Sequence, residues 1–172
     1  MPDPATEEIL WYRPDPRAIL PLDRFHCSRS LGKIIRHQLF SVTFNSAFPE
    51  VISHCANRPE TWINDEFIKS YHKLFKMGYA HSLEIWHSQK LAGGIYGVHV
   101  GGAFFAESMF SLETNASKVG LFYLTEHLKQ QSFSLLEVQF LTPHLRSLGA
   151  IEIPGDLYEA WLQKAIRLPC QF

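Results

Sequence analysis

A carboxylate interrupts an apolar row in the segment 103–109. If this segment is a strand, alternation places Glu107 on one face together with Phe105 and Met109. Burying a carboxylate costs free energy unless a cation or hydrogen-bond donors pair with it. Glu107 therefore either has a structural cation partner or faces a cleft, and the pattern alone favours neither.

A second polar pair lies in the apolar segment 134–140. Glu137 and Gln139 are two residues apart, so they share one strand face. Such alternation is typical of a half-exposed strand. If this strand lies in the same central sheet as Glu107, the three side chains indicate instead the polar end of a pocket.

Positive charge is concentrated between residues 13 and 37, although the formal net charge of the chain is −1. Arg29, Lys33 and Arg36 fall on one face of a helix predicted to begin after Ser28. Phosphate contacts supply much of the affinity of proteins for nucleic acids, so this face suits docking on an RNA backbone. An ordinary solvated helix face is the alternative.

The composition argues against several classes of protein. The 172 residues, 46% of them hydrophobic, are enough for one buried core. The three cysteines are widely spaced and the nine histidines form no His-x-x-x-His pair, so we expect neither a metal site nor a disulfide framework. No apolar run approaches the ~20 residues of a membrane helix, and the acidic start is unlike an export signal. We expect a cytoplasmic protein without membrane contact.

The periodicity of apolar residues predicts helices that alternate with strands. The helical segments are about 28–39, 48–55, 64–76, 115–131, 143–148 and 156–166. The strand segments are 41–44, 81–87, 91–100, 103–109, 134–141 and 150–153. We expect one domain at 25–172, preceded by an extended, proline-punctuated arm at 1–24.

This order of elements is similar to the N-acetyltransferase (GNAT-like) fold, an α/β (α+β) domain with a mixed central sheet flanked by helices. The similarity of order is an analogy, because one fold hosts many activities. Function must therefore be argued from the motifs.

Short motifs that span nearly the whole chain indicate a family. They are Trp11-Tyr-Arg-Pro-Asp-Pro-Arg17, Ser28-Arg-Ser30, Thr61-Trp-Ile63, Ala80-His-Ser-Leu-Glu-Ile-Trp86, Gly93-Gly-Ile-Tyr-Gly97, Glu107-Ser-Met-Phe-Ser111, Ala116-Ser-Lys118 and Ser147-Leu-Gly-Ala150. In this combination the sequence resembles the leucyl/phenylalanyl-tRNA–protein transferases. The most specific part is Gly-Gly-x-Tyr-Gly followed by Glu-Ser-Met-Phe-Ser.

The resemblance implies an enzyme that takes Leu, Phe or Met from an aminoacyl-tRNA such as Leu-tRNA or Phe-tRNA. It joins this residue to the α-amine of proteins that begin with Lys or Arg, which marks them for degradation. No cofactor is expected, and we expect a monomer.

The resemblance also implies roles for individual residues. The family's catalytic Asp-Cys-Gln motif matches Glu137 to Gln139 here, and we expect Glu137 to orient Gln139 towards the attacking amine. The residues that match the lining of the aminoacyl-adenosine site are Glu107, Trp62, Tyr71, Phe104, Leu136 and Ile95. We expect Glu107, Glu137 and Gln139 to converge on one aromatic-walled cavity.

Two departures from the family pattern keep alternatives open. Glu137 is one methylene longer than the family's Asp, and we expect the family's usual additional N-terminal domain to be absent. A non-catalytic module that binds tRNA or protein N-termini is therefore one alternative. A coenzyme-A-dependent N-acyltransferase is another, although the segment 111–118 lacks the glycines of a pyrophosphate loop.

Overall fold

A mixed β-sheet forms the centre of the protein. The computed structural model describes residues 13–57, 61 and 63–172. Within this part of the chain, seven strands pair in the order β2-β3-β4-β5-β6-β1-β7, and only β5 and β6 are parallel neighbours. The strands are β1 (Arg17–Ile19), β2 (Ser41–Phe44), β3 (Ala80–His87), β4 (Lys90–Val100), β5 (Ala103–Ser111), β6 (Leu135–Gln139) and β7 (Ile151–Ile153).

Helices cover both faces of this sheet, as predicted. They are α1 (Arg29–Arg36), α2 (Phe48–Ala56), α3 (Asp65–Lys76), α4 (Ala116–Gln130), α5 (Pro143–Ser147) and α6 (Gly155–Ala165). On β4, Ile95 belongs to the core beneath α4, whereas its neighbour Tyr96 packs with α2 and α3. Because successive side chains of a strand point to opposite faces, α4 lies on one face and α2 and α3 lie on the other. None of the helices described is both long and apolar enough to cross a membrane.

Strand β1 was not predicted from the sequence. The prolines around Arg17 favour an extended arm, and residues 17–19 are extended as expected. They are nevertheless inserted between β6 and β7, antiparallel to both. The predicted arm at 1–24 therefore contributes a strand to the sheet of the 25–172 domain, while residues 1–12 lie outside the described part. The boundary after residue 24 stays a prediction.

A β-bulge in β5 holds Glu107. Tyr96 pairs with Ser108 and Gly97 pairs with Ala106, so Glu107 is an extra residue between two ladder pairs. The bulge reverses the alternation beyond it, and Met109 packs into the core beneath α4. The prediction that Met109 shares a face with Glu107 is therefore wrong.

The glycine opposite this bulge is required by close packing. A Cβ added to Gly97 would lie 2.2 Å from the carbonyl oxygen of Phe105 and 2.6 Å from Cε1 of Phe104. A backbone oxygen cannot move away cheaply, so a larger residue would displace the bulge. The last glycine of the Gly-Gly-x-Tyr-Gly motif is thus explained by its proximity to β5.

Strands β5 and β6 separate where the polar residues begin. Their parallel pairing ends at Phe105 and Glu137, although β5 continues along β4 to Ser111. Strand β6 ends at Gln139, which has a φ of 62°, and the Phe140 N–H donates to the Val138 carbonyl at 2.8 Å. This three-residue turn stops the strand. Glu107 and Gln139 therefore each lie two residues beyond the last pair.

Candidate active site

Glu107 and Gln139 meet across the gap between β5 and β6. The Nε2 atom of Gln139 donates to Oε2 of Glu107 at 3.0 Å. Tyr71, from α3, forms a side-chain hydrogen bond with the same carboxylate. The Tyr71 ring also packs edge-on against Tyr96, with ring centroids 5.2 Å apart. The bulge, the end of β6 and one helix thus place a carboxyl, an amide and a phenol together.

Burial makes the Glu107 carboxyl a weak acid. Desolvation, followed by the nearby charge of Glu137, raises the pKa of Glu107 to about 7. Hydrogen bonds from Tyr71 and Gln139 and the charge of Arg17 oppose this rise. Burial and the Glu107 carboxylate also raise the pKa of Tyr71, so the phenol stays protonated. A carboxyl with a pKa near neutrality can exchange a proton during a reaction.

Glu137 is held by different partners. Its side chain is only 3% exposed. Oε1 accepts a hydrogen bond from Nη2 of Arg17 at 2.6 Å, and Oε2 accepts one from the Tyr158 hydroxyl at 3.0 Å. We expected Glu137 to orient Gln139, but in the structure the Gln139 amide donates to Glu107. We call Arg17, Glu137 and Tyr158 the Glu137 clamp.

Arg17 and Tyr158 were missed by the sequence analysis. The Arg17 guanidinium carbon lies 4.6 Å from the centre of the Tyr158 ring, so these side chains also stack on each other. Burial and the charge of Glu137 raise the pKa of Tyr158 to about 12. Arg17 lies in the basic segment 13–37, which suggested either RNA docking or a solvated surface, and no local pattern relates it to a carboxylate 120 residues away. The signal available was that a buried Glu137 requires a cation.

The other predicted lining residues have different surroundings. Tyr71 is in the site, and Trp62 lies outside the described residues. Phe104, Leu136 and Ile95 are at most 2% exposed and belong to the core beneath α4. Leu136 and Phe104 are one residue out of phase with Glu137 and Phe105, so their side chains point to the opposite face of the sheet. The structure therefore does not bring these three together with Glu107 and Gln139.

The predicted RNA-binding residues lie on the surface of α1. Arg29, Lys33 and Arg36 are exposed, while Leu31 of the same helix is buried beneath them. Ser28 caps the helix by accepting from the Leu31 N–H, as predicted. Within the described ranges, none of the three cations forms an ion pair. They form an open positive face whose role stays a prediction.

Metal-binding side chains are scattered in the structure as they are in the sequence. Among the residues described, no group of three or more His, Cys, Asp or Glu side chains could hold a metal ion. His81 and His99 do contact each other, at 2.9 Å between Nε2 and Nδ1. Burial, followed by the charges of His99 and His127, lowers the pKa of His81 to about 4.

The mixed sheet, with two parallel strands that separate beyond Phe105 and Glu137, has the N-acetyltransferase fold. A GCN5-related N-acetyltransferase from Anabaena variabilis matches with a TM-score of 0.53 at 11% identity, over 80% of this chain and 37% of that one. L-PGS from Bacillus licheniformis matches with a TM-score of 0.51 at 13% identity, over 77% of this chain and 50% of that one. At such low identity these matches show the fold alone.

The sequence comparisons identify the family. The model of the Leucyl/phenylalanyl-tRNA protein transferase family matches residues 19–163, so the chain belongs to that family. A leucyl/phenylalanyl-tRNA–protein transferase from Gloeobacter violaceus is 46% identical over 96% of this chain and 86% of its own length. One from Rhizorhabdus wittichii is 51% identical over 94% of this chain and 67% of its own length.

Proposed function

We propose that this protein transfers leucine, phenylalanine or methionine from an aminoacyl-tRNA to the α-amine of proteins that begin with Lys or Arg. The modified proteins would then be marked for degradation. Membership of the family supports the reaction class. The observation that carries the proposal is the hydrogen-bonded pair of Gln139 and Glu107 at the point where β5 and β6 separate.

The reaction needs positioning and the transfer of one proton from the amine to the ribose oxygen, in two steps. An aminoacyl ester is already activated, and good positioning contributes ~7–11 kcal/mol. The neutral α-amine attacks the ester carbonyl, and the C–N bond forms. In this proposal Glu107 takes the proton that the nitrogen loses. The C–O bond to the ribose then breaks, and Glu107 returns the proton to the ribose oxygen. Its raised pKa, about 7, suits both steps.

Gln139 would hold the attacking amine. Because its Nε2 atom donates to Glu107, its Oε1 atom can accept a hydrogen bond from the amine. The amine would then lie beside the carboxylate that takes its proton. Glu107 replaces Glu137 as the residue that orients Gln139, which revises the role expected from the family motif.

The charge balance indicates which carboxylate attracts a cationic acceptor. Glu137 is paired with Arg17 and is buried, so its charge is largely compensated. Glu107 faces an amide and a phenol, neither of which is a cation. We therefore assign the attraction of N-terminal Lys or Arg to Glu107.

The aminoacyl-tRNA would bind through the side chain of its amino acid and the phosphates of its RNA backbone. Apolar pockets discriminate by only ~1–3 kcal/mol per methylene, so Leu, Phe and Met are all plausible donors. The exposed cations Arg29, Lys33 and Arg36 would contact the tRNA backbone. A charged-tRNA donor places the proposed reaction in the cytoplasm, and we propose a monomer as the active form.

The structure gives less support to a coenzyme-A-dependent reaction. In that alternative, free N–H groups at the start of α4 would bind the pyrophosphate. Here the Ala116 N–H donates to the Glu113 carbonyl at 3.2 Å, and the Ser117 N–H donates to the Ser111 hydroxyl at 3.4 Å. Two donors at this helix end are thus already engaged within the protein.

The test is transfer of labelled leucine from Leu-tRNA to a peptide that begins with Arg. We expect transfer to this peptide, and no transfer to the same peptide with an acetylated N-terminus. Gln139→Ala should reduce the rate by roughly 100-fold or more. Glu126→Gln is the matched control, because this half-exposed residue pairs only with Lys129 in the described contacts.

Two results would contradict the proposal. Acetyl transfer from acetyl-coenzyme A, without leucine transfer, would favour the N-acyltransferase alternative. Binding of Leu-tRNA without any turnover would favour the non-catalytic module.

A further inference from the structure

The Glu137 clamp joins three distant parts of the chain. Arg17 comes from β1, Glu137 from β6 and Tyr158 from α6. We propose that Arg17 and Tyr158 are positioning residues, which make Glu137 a fixed negative charge that controls proton exchange at Glu107. This inference rests on the proposed aminoacyl transfer, and it assigns a function to two residues that the family motifs leave without one.

The geometry of the clamp takes Glu137 out of direct proton transfer. Arg17 donates to one carboxylate oxygen at 2.6 Å and Tyr158 donates to the other at 3.0 Å. The Arg17 guanidinium also lies over the Tyr158 ring, so the two donors fix each other. The short bond from Arg17 is charge-assisted, and such bonds are among the strong ones in proteins. Both oxygens of Glu137 are therefore engaged by the protein itself.

The charge of Glu137 nevertheless reaches the reacting carboxyl. Four groups face Glu107 or act on it: Tyr71 from α3, Gln139 and Glu137 from β6, and Arg17 from β1. Glu137 favours the protonated form of Glu107, whereas Arg17 favours the ionised form. Tyr158, from α6, contacts Glu137 and Arg17 and acts on Glu107 through them. The two members of the ion pair thus have opposite effects on Glu107.

Because Arg17 and Glu137 act on Glu107 in opposite directions, removing each charge should move the midpoint of the pH profile in opposite directions. We compare the pH dependence of kcat/KM for leucine transfer in the wild type, Arg17→Gln and Glu137→Gln. Activity needs ionised Glu107, so kcat/KM should rise with pH in all three. The midpoint should move upward by roughly one pH unit in Arg17→Gln and downward by a similar amount in Glu137→Gln. Because a purely structural role lowers rates without moving midpoints in opposite directions, the signs are diagnostic.

Three further variants separate charge from folding. Arg17→Lys keeps the cation and should retain the wild-type midpoint. The double variant Arg17→Gln/Glu137→Gln removes both charges, avoids an unpaired buried carboxylate and should have a midpoint between those of the single variants. Tyr158→Phe removes one of the two donors that hold the Glu137 charge in place, so the midpoint should move downward, as in Glu137→Gln but by less, while the KM for tRNA stays the same.

A second measurement does not depend on turnover. Carbon-13 NMR of labelled glutamate carboxyls, titrated with pH, reports protonation of Glu107 directly. We expect its midpoint to rise in Arg17→Gln and to fall in Glu137→Gln. If both substitutions move the midpoint in the same direction, or neither moves it, the clamp inference is overturned. If the wild type transfers no leucine but the NMR midpoints move as expected, the proposed function fails while the electrostatic role of the clamp stands.

Discussion

Glu107→Gln should make the protein less active but more stable at alkaline pH. The pKa of Glu107 is about 7 in the folded protein and 4.5 without the protein environment. Between these values the folded state binds more protons than the unfolded state, so stability falls as pH rises. Each pKa unit corresponds to about 1.4 kcal/mol, which gives a loss of roughly 2–3 kcal/mol between about pH 5 and pH 8. Glutamine has a similar shape and does not ionise, so the variant escapes this loss.

The assay is urea unfolding of wild type and Glu107→Gln at both pH values. The difference between the two proteins should grow by roughly 2–3 kcal/mol from about pH 5 to pH 8, in favour of the variant. Glu126→Gln, at a half-exposed surface ion pair, should change by less than about 0.5 kcal/mol. If the stabilities of wild type and Glu107→Gln change in parallel with pH, Glu107 is an ordinary carboxylate and cannot be the proton acceptor at neutral pH.

Three other predictions concern the packing of the sheet and the surface of α1. Gly97→Ala should destabilise the protein by about 1–3 kcal/mol in urea unfolding and should also slow leucine transfer, because the alanine Cβ would press on the β-bulge. Unchanged stability would contradict this packing. Glu84→Ala should lower the free energy of unfolding by about 3–5 kcal/mol, because this fully buried carboxylate accepts hydrogen bonds from four donors, in Thr43, Ser46, Ala47 and Ser82. A loss under about 1 kcal/mol would show that these donors find other partners. Replacing the three exposed cations of α1, Arg29, Lys33 and Arg36, by glutamine should raise the KM for Leu-tRNA and make this KM less dependent on salt concentration, with kcat little changed. An unaltered salt dependence would show that α1 does not contact the RNA.

The helices and the long strands were predictable because their apolar periods are clear. The predicted strand 103–109 lies within β5, and the predicted helix 115–131 differs from α4 by one residue at each end. Strand β1 was not predictable in the same way, because three residues after two prolines carry no alternating pattern. Its place between β6 and β7 is decided by contacts with residues more than a hundred positions away.

The site was predictable in its polar residues but less so in its lining. Polar groups in apolar rows correctly pointed to Glu107, Glu137 and Gln139 as neighbours in one sheet. Strict alternation failed at the bulge, since an extra residue is not visible in the period-two pattern. Alternation predicts that Leu136 lies on the face opposite Glu137, where the structure has it, and only the family resemblance assigned Leu136 to the lining.

The most direct test of the account is the single-turnover rate of leucine transfer from Leu-tRNA to an Arg-initiated peptide, followed from about pH 5 to pH 9. The account predicts a rate that rises with a midpoint near pH 7, and a Glu107→Gln variant that is slower by roughly 100-fold or more and keeps only the rise caused by deprotonation of the peptide's α-amine, at about pH 8. A Glu107→Gln protein that transfers leucine at the wild-type rate, with the wild-type pH profile, would contradict the central claim.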